Sequence, residues 1–427
     1  MESIAEGAAA QAAAAMPRFD DGLINMQELL RLLAEQVANG IMDSEADQPC
    51  GETGNSRNGY RERMLKTCVG ELAPRVPKPR GGSFFPEDVI ERCQRVDRAL
   101  AAAVAEMYAG GTSTRKVRRV AERMGVSRLS KDQVSAICAC LDADVDELVG
   151  RPLSGAAMPY VWLDAAYVKC RREGRVAPAA VVTAIGCDGG GWRRVLGMAV
   201  VDTGSHGSWL GFLRSLRDRG VAGVRLVVSD AHKGLTGAIG EVFQGAAWQR
   251  CVARLVRDCA REAGSWQLRK RVARVVAPVF RAKDAAAAVA MYHAACDMLR
   301  GICPKAADVL EDAEPDALAY LDLPASHWKR LRANNVQERA NREIKRRSRV
   351  VQVFPSEASL MRLAGAVMCD MDEAWSSSRY FSEARMRELP PEGEPAPPRP
   401  APSAADTAAA RRALEAAVEL ADRVEGN

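Results

Sequence analysis

The sequence contains no run of roughly eighteen or more apolar residues, the length a membrane-spanning helix requires. An integral membrane protein is therefore not expected, and no membrane partner is indicated. The first residues, MESIAEGAAAQAAAAMPRFDD, are rich in alanine but carry acids where a secretory signal needs a basic lead. This predicts a cytoplasmic protein with a loose tail over residues 1–20. The twelve cysteines include no Cys-x-x-Cys pair, so neither a disulfide framework nor a zinc site is indicated, and reduced thiols are expected. Cys138 and Cys140 point in different directions along a helix and are assigned to packing. No internal repeat is evident. The net charge of +5 is too mild to announce a nucleic-acid partner by itself.

What is present is a chain of 427 residues, 48% of them hydrophobic, enough for two or three folded domains with real cores. Leu23, Met26, Leu29, Leu30 and Leu33 recur at helical spacing and predict a packing or dimerisation helix over roughly 22–39. Residues 51–86 are basic, rich in Gly and Pro, and partly extended, with phosphate as the expected partner. From about Asp97 to Val149 the pattern is helical. Within it STRKVRRVAERMGVSRLSKDQVSAICACL reads as helix, turn at Gly125, and a second helix capped by Ser130. This is a helix-turn-helix candidate at about 113–140, and Arg115, Lys116, Arg118, Arg119, Arg128 and Lys131 supply the cations that phosphate contacts would use.

After Pro159 the texture changes to three apolar, strand-like runs separated by turn residues such as Asp188-Gly-Gly-Gly. A helix, the apolar strand VRLVVSD, another helix and a short strand around AAWQRC follow. The order β-β-β-α-β-α-β is that of a ribonuclease H-like α/β core. Arg254 to about Leu323 reads as an all-α insertion, and a last core helix begins near Asn335. The expected organisation is a mainly helical DNA-binding region over 21–150, a catalytic core over 158–253 and 328–382, an insertion over 254–327, and a proline-rich linker with a short helix over 388–427.

Asp164 stands in an apolar strand and Asp230 closes another. Either alone has an ordinary reading as a turn former or helix cap. On adjacent strands of one sheet they would meet at the same edge, where like charges repel unless a divalent cation is shared. Glu338 lies in NNVQERANREIKRRSR. At about 100° per residue it shares a stripe with Arg342, Lys345 and Arg349, while Ala340 and Ile344 fall on the opposite side. Arg339 and Arg346 add to this run, whose imbalance of sign separates it from an ordinary solvated face. Carboxylates holding two Mg²⁺ or Mn²⁺ ions beside a row of cations would suit in-line phosphodiester chemistry.

The chain is similar to the Mutator-type transposases of bacterial insertion sequences. The resemblance spans roughly residues 50–382 through RNGYRER, STRKV, SKDQVSAIC, YVWLDAAYVK, FLRSLRDRGVAGVRLVVSDAHKGL, AAWQRC, HWKRLRANNVQERANREIKRRSRVVQVFP, DEAW and RYF, in that order. It implies a catalytic and metal-binding triad of Asp164, Asp230 and Glu338. It also implies binding to the terminal inverted repeats of the element, cleavage at the 3′ ends, strand transfer into target DNA, a circular product, and a homo-oligomer of at least two chains on DNA. Family members usually carry Cys-x-x-His after the WQRC strand, whereas here Cys251 is followed by Arg254. His232, Cys251 and Arg254 are auxiliary candidates. The missing histidine keeps open a catalytically impaired or repurposed protein that only binds DNA. A nuclease acting on RNA–DNA hybrids or junctions fits the fold but not the helix-turn-helix candidate or the long insertion.

Overall fold

The computed structural model describes residues 16–53, 57–67, 69–80, 98–124, 126, 129–202, 205–391, 394 and 398–425. The chain divides into two units, 1–142 and 143–427. None of the described helices is long and apolar enough to cross a membrane.

In the first unit a long helix, α1 (Met26–Thr53), precedes four short strands, β1 (Arg57–Glu62), β2 (Leu65–Thr67), β3 (Gly70–Leu72) and β4 (Arg75–Pro79). Strand β1 pairs with β4 and β2 with β3, both antiparallel, so the basic, extended stretch becomes two nested hairpins. Helix α1 buries Met42 and Ala46 but also meets the hairpins through polar side chains. Arg31 bridges Glu28 and Glu35 and donates to the Glu71 carbonyl, and Asn39 accepts from the Arg75 backbone. Leu23 before the helix and Met26, Leu30, Leu33 and Val37 within it are exposed and Leu29 is half-buried, so most of the stripe expected to pack is uncovered among the described residues.

Three helices follow: α2 (Arg98–Ala109), α3 (Thr114–Arg123) and α4 (Lys131–Cys138). Leu100 and Val104 meet Val117 and Ala121 of α3 and Val134 and Cys138 of α4 in one small core, with Val126 and Leu129 filling the bend. Both helix starts are capped. Ser113 accepts from the Lys116 backbone at 3.3 Å, and Ser130 and Gln133 exchange side-chain and backbone hydrogen bonds at 3.1 and 3.0 Å. Arg115 and Arg119 are exposed and Arg118 is half-buried. Arg128, Gly125 and the side chain of Lys131 lie outside the described residues.

The second unit begins with the end of α5 (Cys140–Gly150) and is built on a five-stranded sheet. Strands β5 (Tyr160–Arg172), β6 (Arg175–Cys187) and β7 (Arg193–Val201) form an antiparallel meander. The β5–β6 turn is the pair Glu173-Gly174, both at positive φ, the backbone a two-residue hairpin needs to match strand twist. Strands β8 (Leu226–Ser229) and β9 (Ala247–Arg250) extend the sheet in parallel, giving the order β7-β6-β5-β8-β9.

Alternation along β5 divides the two faces of the sheet. Val161 and Leu163 join Val227 in a core covered by Trp209, Phe212, Leu213 and Leu216 of α6 (His206–Asp218) and by Leu235 and Ile239 of α7 (Lys233–Val242). The opposite face receives α14 (Asn335–Val351) and α15 (Glu357–Ser376). Between β9 and α14 the chain is helical: α8 (Val252–Arg261), α9 (Trp266–Val276), α10 (Ala285–Ile302), α11 (Pro304–Asp312) and the single turns α12 (Glu314–Ala317) and α13 (Trp328–Leu331), with two 3₁₀ turns.

Buried polar side chains fix this helical segment to the sheet. Gln249 of β9 donates to the Ala317 carbonyl and accepts from the Tyr320 backbone. His327 accepts from the Tyr160 hydroxyl through Nδ1 at 2.6 Å and donates to the Arg385 carbonyl through Nε2, and burial pushes its pKa down, favouring this neutral form. After the turn α16 (Glu383–Met386) and the proline-rich stretch, α17 (Ala404–Glu425) returns to pack Ala410, Leu414 and Val418 against α9 and α10.

Candidate active site

The register of the sheet decides where the acids meet. Strands β5 and β8 pair in parallel with Tyr160 opposite Leu226 and Trp162 opposite Val228. Two residues beyond the last of these pairs come Asp164, still within β5, and Asp230, just past the end of β8, and both line the cleft reached by α14. The short β8 ends at Ser229, and its last carbonyl accepts from the Cys251 backbone, so Asp230 leaves the ladder at the edge.

Helix α14 brings the third acid, and it is anchored to β5 at both ends. At its start Asn334 donates to the Leu163 carbonyl at 2.9 Å, and Gln337 donates to the carbonyls of Trp162 and Thr183 while accepting from the Thr183 hydroxyl at 2.8 Å. Beyond its end, Phe354 exchanges backbone hydrogen bonds with Lys169 and Arg171. Ala340 and Ile344 are buried toward the sheet, whereas Arg339, Arg342, Lys345, Arg346 and Arg349 are exposed.

Asp164, Asp230 and Glu338 line a single cleft of about 480 Å³, with Arg342, Lys345, Arg346 and Arg349 along α14 and Arg254 and Arg257 on α8. Arg339 is outside this lining. Cys251 is buried at the cleft and accepts from the Asn334 backbone through Sγ. His232 precedes α7, is exposed, makes no capping hydrogen bond and does not line the cleft.

The carboxylates differ in their partners. Asp164 accepts from the Ala165 backbone at 2.8 Å and from Asn341 Nδ2 at 2.7 Å. Burial, and then the charge of Asp230, push its pKa up to about 7. Asp230 is ion-paired with Arg254 at 2.9 Å; burial raises its pKa while Arg254 and Arg257 oppose the rise. Glu338 is paired with Arg257 at 3.2 Å.

Among the described residues no three His, Cys, Asp or Glu side chains stand close enough together to hold one ion. The donor chemistry nevertheless suits a hard cation: carboxylate oxygens converge on one cleft, their charges oppose each other, and two buried amide oxygens, Asn334 Oδ1 and Asn341 Oδ1, have no hydrogen-bond partner. Arg254 and Arg257 pair with the second and third acids.

Asn341 and Gln337 were not among the residues singled out from the sequence. The signal for Asn341 was spacing: Asn334, Glu338, Asn341 and Lys345 follow one another at helical intervals of four, three and four residues.

An acid-lined cleft bordered by cations, on a mixed sheet between helices, suits a polyanion and a hard cation together. The family model "Transposase, Mutator family" matches residues 2–378, and the chain belongs to that family. It is 37% identical over 366 residues to the transposase for insertion sequence element IS1081 of Mycobacterium tuberculosis, covering 83% of this chain and 87% of that one. It is 35% identical to the transposase for IS406 of Burkholderia multivorans, covering 85% and 94%. The transposase for IS256 in transposon Tn4001 of Staphylococcus aureus is 36% identical, with 77% and 84% covered.

Proposed function

We propose that the second unit is a ribonuclease H-like catalytic core and that the protein is a DNA transposase. In this reading it binds the terminal inverted repeats of its element, cuts their 3′ ends and joins them to a target by transesterification. The observation that carries this reading is the convergence of Asp164, Asp230 and Glu338, from two strands and a helix distant in sequence, on one cleft beside a row of cations. Asp164, Asp230 and Glu338 would hold Mg²⁺ or Mn²⁺. Two such ions supply activation of the attacking oxygen, from water or a DNA 3′-hydroxyl, and stabilisation of the leaving oxygen.

The protein's own groups supply the rest. Arg342, Lys345 and Arg349 receive the phosphate backbone. Asn334 and Gln337 hold α14 on β5, keeping Glu338 level with the aspartates. Arg254 and Arg257 neutralise Asp230 and Glu338 and would pass to phosphate when DNA enters. The exposed arginines of α3 are the matching contacts of the N-terminal helices.

The test is a strand-cleavage assay on element ends with Mg²⁺ or Mn²⁺, run beside a gel shift. Asp164→Asn, Asp230→Asn and Glu338→Gln should each abolish cleavage and leave end binding nearly intact. Cleavage at a tenth of the wild-type rate or above by any of them would remove that residue from the triad.

The Arg254–Asp230 pair favours a second reading, a protein that occupies DNA ends without cutting. It would be upheld if wild-type protein bound its ends but cut none, and Arg254→His restored cutting by orders of magnitude.

A further inference from the structure

We propose that Asn341 is a positioning residue for Asp164 and, through its amide oxygen, a fourth protein oxygen for the divalent cation. The proposal rests on the acid-site reading above and adds a residue to it.

Asn341 is 7% exposed, lines the cleft, and comes one turn after Glu338 on α14. Its Nδ2 donates to Asp164 Oδ2 at 2.7 Å. That bond fixes the orientation of the amide, because a flipped side chain would set Oδ1, an acceptor, against the carboxylate oxygen. The amide oxygen is thereby committed to the other side, and there it is buried without any hydrogen-bond partner among the described residues. None of the neighbouring cations Arg254, Arg342 and Lys345 donates to it.

Buried polar atoms without partners are rare in folded proteins, and one on a side chain that lines an acid cleft calls for a ligand. The ligand must be electron-poor, since the atom is an acceptor. A carbonyl oxygen held beside carboxylates is the donor type that hard divalent cations take, directly or through a bound water. Asn334 shares part of this arrangement: its Nδ2 is committed to the Leu163 carbonyl and its Oδ1 is also unpartnered. It does not touch an acid, so its amide serves the seating of α14. Asn341 does both, joining the helix that carries Glu338 to the strand that carries Asp164.

The test uses the full chain and Mn²⁺ as the probe, titrated calorimetrically at pH 8 without DNA, with melting curves in chelator alongside. Asn341→Ala should weaken Mn²⁺ binding by about tenfold or more, with the cation-free melting temperature not lowered enough to account for the loss. Asn341→Asp restores an oxygen but cannot donate to Asp164, and should bind Mn²⁺ more tightly than Asn341→Ala. Mn²⁺ affinity of Asn341→Ala equal to wild type would overturn the proposal. Should Asn341→Ala fail to melt cooperatively, the aspartate variant decides: no Mn²⁺ binding by a folded Asn341→Asp would overturn it equally. Asp164→Asn is the control for the underlying reading. If it binds Mn²⁺ as wild type does, the acid site itself is wrong; if it loses Mn²⁺ while Asn341→Ala does not, only the inference about Asn341 falls.

Discussion

The guanidinium of Arg254 stands 2.9 Å from the carboxylate of Asp230, at the position where the Cys-x-x-His pattern implied by the family resemblance would put a histidine. A guanidinium is permanently charged and donates only, whereas an imidazole can also accept a proton. In the proposed reading Arg254 would therefore compete with a divalent cation for Asp230 while attracting phosphate. Arg254→Ala should tighten Mn²⁺ binding and weaken DNA binding at the same time, whereas Arg254→His should alter cleavage only modestly. Mn²⁺ titration and gel shift on the same preparations check the opposed signs; a loss of both affinities would show that Arg254 supports the fold of the cleft instead.

The cations along α14 make a separate prediction. If Arg342, Lys345 and Arg349 track the phosphate backbone, their replacement by alanine should weaken binding about equally on element ends and unrelated duplexes. The slope of log affinity against log salt should flatten by roughly one unit per lost contact. An unchanged slope would reduce the stripe to a solvated helix face.

Asp164 ties stability to pH. Its pKa in the folded protein is raised to about 7 from an ordinary value of 3.8, so the folded state holds a proton that the unfolded chain releases at lower pH. The sign follows from linkage: this group's contribution is most favourable below its unfolded pKa and is lost as pH rises through about 7. In chelator, the stability of Asp164→Asn relative to wild type should therefore increase between pH 5 and pH 8, which denaturant melts at the two values would measure. A constant difference would mean that Asp164 titrates normally.

Mn²⁺ binding should carry the same titration with the opposite sign, because the ligand must lose its proton before it binds. Apparent affinity should rise with pH up to about 7 and level off above it. A pH-independent affinity between 5 and 8 would place the ion away from Asp164.

Gln337 is buried and spans β5 and β6 from α14, with hydrogen bonds to Trp162, Thr183 and the Thr183 hydroxyl. Gln337→Leu keeps the volume but leaves those partners unpaired, at a cost of about 1–3 kcal/mol per group. It should lower the melting temperature and reduce cleavage by loosening the helix that carries Glu338, with DNA affinity changed less. Unaltered stability would show that Asn334, Phe354 and the packing of Ala340 and Ile344 seat α14 without Gln337.

Much of this was legible in the chain because the sheet writes itself in a short period. Alternating and fully apolar runs mark the five strands, and an acid ending the apolar run Leu226–Ser229 is conspicuous wherever it occurs. The charge run around Glu338 was equally visible, since helical spacing by itself sorts Arg342, Lys345 and Arg349 from Ala340 and Ile344. Those are local properties, and local sequence determines them.

Tertiary structure decided what depends on register and on distant partners. The parallel pairing of β5 with β8 brings Asp164 and Asp230 to the same end of the sheet and to one cleft, and neither strand encodes that register alone. The same holds for Asn341, whose helical position was readable but whose contact with Asp164 spans 177 residues of chain. Helix α1 is the clearest case. Its apolar stripe suggested a packed face, yet Arg31, Glu35 and Asn39 make hydrogen bonds to the hairpin backbone, and Leu30 and Leu33 are exposed among the described residues. Periodicity identifies a helix and its two faces; which face is covered depends on what the rest of the chain brings to it.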